Sequence, residues 1–151
     1  MNKMGYSSMM YRNVAYKEYL DIQLDQTKEC VLDFYEKLSN QNLQKNGPLI
    51  ITYTQIMKSH RVNILIQMSV NQPFYSNEIL QFRSYLCIDH MLQARMPGQD
   101  YESEEVKALN EIEAFSKENK LRRISPYYHI INEFDDYHWI DLKVKVLDRK
   151  D

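Results

Sequence analysis

Glycine is nearly missing from this chain: Gly5, Gly47 and Gly98 are all it has in 151 residues. They are too few and too scattered for a loop that cradles phosphate with backbone amides. Cysteine is scarcer still, with Cys30 in a helical pattern and Cys87 in a strand-like one. Two isolated thiols make no zinc pattern, so both read as buried, reduced side chains. The histidines, His60, His90, His129 and His138, lack metal-ligand spacing, and His60 and His138 fall at predicted hairpin loops. There is no nucleophile elbow. Asp89 and His90 are adjacent on a predicted strand, so they point to opposite faces and form no dyad. No metal and no cofactor are expected.

Long apolar runs and an excess of charge are missing too. Runs such as residues 49–51 and 64–66 fall far short of the ~20 residues of a membrane span. Residues 1–11 are polar and lack the apolar core of a signal peptide. A cytoplasmic protein with no membrane partner is the expectation. Nineteen basic against twenty-one acidic residues give a net charge of −2, which argues against binding nucleic acid directly through a broad positive field. Lys120, Arg122 and Arg123 make one basic spot, read as solvated charge at a helix C-terminus.

What is present is an ordinary globular composition, 44% hydrophobic and 26% charged, and an internal repeat. The length suits one domain spanning residues 1–151, able to bury roughly 68–70% of its unfolded surface. Sliding the sequence by 78 residues sets Leu43 on Leu121, Pro48 on Pro126 and His60 on His138. Under the same shift Val62, Ile64, Ile66 and Met68 meet Ile140, Leu142, Val144 and Val146. Both sets alternate at period two, as a strand with one buried face requires. Val31 and Phe34 meet Leu109 and Ile112 inside helical patterns at residues 25–44 and 103–119. Asp25 and Ser103 are the expected N-caps.

Each unit, approximately residues 9–70 and 82–147, then reads strand, helix, strand, strand. The strands fall at residues 9–20, 48–55 and 61–70, and at 82–96, 126–133 and 137–147. The fold class is α+β: a tandem pseudo-two-fold βαββ repeat whose antiparallel sheet carries two helices on one face. Residues 71–78, with Pro73, form a short connector. Placing Ile131 opposite Ile140 puts Tyr53 opposite Val62 by the repeat. The alternating aliphatic positions then face the helices, and Trp139, Asp141 and Lys143 face away, as do Asn63, Leu65 and Gln67.

The second half, KENKLRRISPYYHIINEFDDYHWIDLKVKV, is an approach loop, a tyrosine-bearing strand, a turn and a final alternating strand. In this it resembles the gyrase-inhibitor-like superfamily, also seen as the effector-binding domain of some bacterial transcription regulators. The resemblance implies a cleft between the two halves with an acidic residue of the last strand facing it, here Asp141. The family's usual residue is Glu, one methylene longer, and Lys143 and Lys145 make this strand more basic than a cation pocket would be. A second resemblance is to families encoded near type VII secretion genes in Gram-positive bacteria.

Asp141 therefore heads the candidate ligand-binding residues, against the plainer reading of a cross-strand salt bridge. Trp139, two residues earlier on the same face, would supply an apolar or cation–π wall, against the plainer reading of packing. Tyr128 shares that face, and Asn63 is the repeat counterpart of Asp141. The expected ligand is a small amphipathic or cationic molecule. The chain leaves no room for a helix-turn-helix before its first strand, so any regulatory output would pass through a protein partner. Two alternatives stand beside ligand binding: a protein-interaction module, gyrase-inhibitor-like or accessory to a secretion cluster, and a small hydrolase using Asp141.

Overall fold

The computed structural model describes residues Tyr6 to Asp148; Gly5 and the extremes of the expected domain lie outside the described residues. In chain order the elements are β1 (Tyr6–Gln23), α1 (Thr27–Asn40), β2 (Lys45–Ile56), β3 (Arg61–Val70), β4 (Gln81–Met96), α2 (Tyr101–Glu118), β5 (Leu121–Arg123), β6 (Tyr128–Phe134) and β7 (Tyr137–Asp148). The class is α+β, and the strand pairs within each half are antiparallel. The chain forms two compact units, Met10–Leu86 and residues 87–148 with 6–9.

In the N-terminal unit β3 lies between β1 and β2. Its even positions Val62, Ile64, Ile66 and Met68 are buried on the face that Ala15 of β1 and Leu49 and Ile51 of β2 share by register. Helix α1 buries Cys30, Phe34 and Leu38, one residue per turn of the same stripe. Tyr19 Oη donates to Asp33 Oδ2 at 2.6 Å, tying β1 to the helix. Burial and this bond push the phenol far above its ordinary range. Burial opposes ionisation of Asp33, yet hydrogen bonds from Lys37 and Tyr19 hold its carboxyl below the usual range.

The C-terminal unit repeats the plan, with β7 between β4 and β6. Leu92, Ala94 and Met96 of β4, Leu142, Val144 and Val146 of β7, and Ala108 and Ile112 of α2 form one buried cluster. Gly98 permits the turn into α2: at φ +95° a Cβ there would sit 2.3 Å from His138 O. Glu104 reaches back to accept from the amides of Gly98 and Gln99.

Both expected N-caps are displaced. Asp25 lies inside a 3₁₀ turn, Leu24–Gln26, where Gln23 and Gln26 bond reciprocally, and α1 starts after it. Asp100 occupies the N-cap position of α2 without a side-chain bond to the helix amides, and Ser103 donates its hydroxyl to Asp100 Oδ2 at 2.8 Å. Cys87 is exposed, whereas Cys30 is buried as expected. His138 lies within β7 rather than in the turn.

The repeat survives in backbone detail that composition could not reveal. Asn13 and His90 both take left-handed φ in the first strand, and Asn42 and Lys120 both do so after the helix. Two extra residues, with Pro48 inside, separate the pairs Lys45–Val70 and Leu49–Met68. The same bulge, with Pro126 inside, separates Arg123–Val146 from Tyr128–Lys143. Proline brings no donor, and Ser125 Oγ instead accepts the Lys145 amide at 2.9 Å. Strand β5, absent from the sequence reading, is thus the far side of this bulge.

One correction follows. Ile131 faces Ile140 as expected, but Tyr53 faces Ile64 and not Val62. The first hairpin turns through four residues, 57–60, and the second through the pair 135–136. The longer turn slides β3 by two residues against its repeat counterpart. An even slide keeps every side chain on its expected face but changes the matches: Leu65, not Asn63, occupies the place of Asp141, and Asn63 that of Trp139.

Candidate functional site

Facing away from α2, the C-terminal unit presents Gln93 and Arg95 of β4, Trp139, Asp141 and Lys143 of β7, and Tyr128, Ile130 and Asn132 of β6. The register sets Arg95, Asp141 and Ile130 on one rung, Asn132 and Trp139 on another. Directly opposed side chains on one face lie within reach of each other. Arg95 Nε donates to Asp141 Oδ1 at 2.9 Å, and Asn132 Nδ2 to Asp141 Oδ2 at 3.1 Å. The Asp141 side chain is 12% exposed and that of Arg95 is 49% exposed. The guanidinium thus lies against the carboxylate while about half of the Arg95 side chain stays exposed.

Arg95 also lies 5.5 Å over the Trp139 ring. The indole Nε1 is shut off from solvent and has no hydrogen-bond partner among the described residues. A buried donor left unmade costs about 1–3 kcal/mol. On the next rung Lys143 Nζ donates to Ser8 O at 2.7 Å. Burial holds this ammonium below its ordinary range, with Asp141 pulling the other way.

The face can do the following chemically. Asp141 has its charge neutralised and its oxygens occupied, so it orients Arg95 and Asn132 rather than offering a bare carboxylate. The donors on this face differ in access: the guanidinium is half exposed, the indole N–H is shut off from solvent, and the Lys143 ammonium is already bonded to Ser8 O. Among the described residues no three His, Cys, Asp or Glu side chains are placed to hold a metal ion. Among the described residues no helix is long and apolar enough to cross a membrane.

Asp141 and Trp139 are thus brought together, through Arg95. Tyr128 shares their face, opposite Lys143. Asn63 belongs to the N-terminal unit, where its amide accepts from the Asp21 N–H at 2.7 Å and donates to Gln55 at 3.0 Å. Sequence reasoning missed Arg95, whose pairing with Asp141 spans 46 residues and leaves no local signal. It also missed Asn132, which the expected register already sets opposite Trp139.

The family model described as "Domain of unknown function (DUF5085)" matches residues 10–148. No curated protein matches the sequence. Among solved structures, the EcmrR C-terminal domain superposes with a TM-score of 0.72 at 8% identity, over 97% of this chain and 98% of that one. EcmrR in its complex with DNA gives 0.71 at 7% identity, over 97% of this chain and 58% of that one. A hydrolase from Listeria innocua gives 0.54 at 12% identity, over 94% and 91%. At such identities the likeness is one of fold, the gyrase-inhibitor-like fold expected from the repeat.

Proposed function

The chain belongs to the DUF5085 family, and from that premise we propose that it is a small-molecule (effector) binding protein of the gyrase-inhibitor-like superfamily with a regulatory role in the cytoplasm. The ligand lies on the C-terminal unit's sheet face away from α2. Trp139 gives it an apolar wall, Arg95 gives it a charged donor, and Asp141 with Asn132 holds Arg95 in place. Tyr128 borders the site at the Lys143 rung.

The observation that carries this reading is a half-exposed guanidinium that Asp141 holds over the Trp139 ring. Of the two expected ligand chemistries, this favours the amphipathic over the cationic. A cation would meet Arg95 before it met Asp141, whereas an amphipath bearing a carboxylate or carbonyl would pair with the guanidinium.

A thermal-shift screen of acidic, neutral and cationic amphipaths tests the reading. Stabilisation is expected with the acidic or neutral compounds and should weaken about ten-fold or more in Arg95→Gln. Stabilisation by cationic compounds alone would contradict it. A protein-interaction role finds support in one place: Phe134 and Tyr137, paired at the tip of the β6–β7 hairpin, are 68% and 73% exposed. Hydrolysis by Asp141 finds none, because its carboxylate is already engaged.

A further inference from the structure

A second site lies in the C-terminal unit, away from the face just described. A groove of about 500 Å³ at the end of α2 is lined by Lys117, Lys120, Arg122 and Arg123, with Glu113 as the one carboxylate and Leu121 and Tyr127 as apolar floor. Four cations against one anion stand out on a chain of net charge −2. The volume falls in the range of small-ligand sites, roughly 300–1,000 Å³.

The plain reading of such a cluster is cations complementing a helix C-terminus, and two observations count against it. First, the helix end is closed without those side chains. The Asn119 backbone and side-chain N–H groups both donate to Phe115 O, and the Lys120 amide donates to Lys117 O. No hydrogen bond or ion pair engages the side chains of Lys117, Lys120 or Arg122 among the described residues. Second, the N-terminal unit ends its helix with the same backbone but with one cation in place of four. The repeat sets Ser39, Asn42, Gln44 and Lys45 where the groove has Lys117, Lys120, Arg122 and Arg123. Asn42 and Lys120 share the left-handed conformation, which Asn accepts more readily than Lys. The basic set is therefore not something this helix end needs.

Arg123 lies 5.1 Å over the Tyr127 ring and donates to Ser125 O. It is thus fixed, while the other three cations are left to a ligand. Burial pushes the Tyr127 phenol above its ordinary range, so it stays neutral beside an anion.

We propose that this groove binds a phosphate-bearing organic molecule about the size of a nucleotide, its phosphates on Lys117, Lys120 and Arg122 and its organic part against Tyr127 and Leu121. Arginine meets phosphate oxygens in pairs and lysine meets them as a point charge.

The test is calorimetric titration of the full chain with ATP, tripolyphosphate, adenosine and a short DNA duplex. It is repeated on Lys120→Asn with Arg122→Gln, which installs the N-terminal unit's residues. Saturable ATP binding, tighter than that of either fragment and weakened about ten-fold or more in the variant, is the expected result. Tripolyphosphate binding as tightly as ATP would overturn the organic part of the assignment. Binding of the duplex alone, equal ATP binding by both proteins, or no binding of ATP would overturn the proposal.

Discussion

The two units share a backbone and differ in what they put on its outer face. On the helix side Ile64, Ile66, Met68 and Val70 of β3 answer Ile140, Leu142, Val144 and Val146 of β7 by register, aliphatic for aliphatic. On the other side Glu18, Leu65, Gln55 and Asn63 stand where the C-terminal unit has Arg95, Asp141, Asn132 and Trp139. One unit folds without an ion pair at this place, so the ion pair in the other is not a demand of the fold. The N-terminal face is not inert: Thr52 Oγ1 and Gln67 Oε1 are buried there without a partner among the described residues. The difference separates an aliphatic stripe common to both units from an outer polar face that each unit makes differently.

The largest expected effect tests the shared side. Ile66→Ala and Leu142→Ala, each at a fully buried position, should destabilise their units by about 2–5 kcal/mol in denaturant unfolding. A cost under about 1 kcal/mol in either would break the equivalence of the two helix faces.

The next effect tests the side that differs. Asp141→Leu installs the N-terminal unit's residue and removes the carboxylate from Arg95, which is 49% exposed and can turn to water. A cost of about 1 kcal/mol is expected, recovered in part by adding Arg95→Gln, which removes the cation left without its carboxylate. A double-variant loss of about 3 kcal/mol or more would make the pair a structural clamp.

The smallest effect concerns pH. In the C-terminal unit His129 and Glu105 tie β6 to α2 at 2.8 Å, where the repeat places Ile51 and Thr27. The hydrogen bond from His129 lowers the Glu105 carboxyl below its ordinary 4.5, with burial opposing. A carboxyl lowered on folding stabilises fully above its unfolded value, and that contribution fades as pH falls through the folded one. Stability followed from pH 6 downward should therefore decline less steeply below about 4.5 in Glu105→Gln. The difference should be under about 1 kcal/mol, because the carboxylate is partly solvated. An unchanged slope would mean the contact contributes nothing to folding.

Period-two alternation in β3 and β7 and the i, i+4 stripe of Phe34 and Leu38 are local patterns, and from them the element order, the faces and the Ile131–Ile140 register were legible. The length of a turn acts at a distance. Four residues in one hairpin and two in the other moved Tyr53 and unseated Asn63 as the counterpart of Asp141, which a fixed shift of the sequence could not reveal. Asp141 and Trp139 were legible as face-sharing neighbours because they sit two apart on one strand. Arg95 was not, because β4 meets β7 only after α2 has closed the unit, and charge alone does not say which rung an arginine will occupy.

Trp139 is the chain's one tryptophan, so its emission reports on the proposed site without a label. The most direct measurement is a titration of acidic amphipaths followed by that emission, in the wild type and in Arg95→Gln with Asp141→Leu. A saturable change in the wild type, weakened about ten-fold or more in a variant that keeps its unfolding midpoint, is the result expected of a ligand face. No change with any compound in the wild type, with a variant that unfolds far more readily, would contradict it and leave the polar cluster a structural feature of one unit.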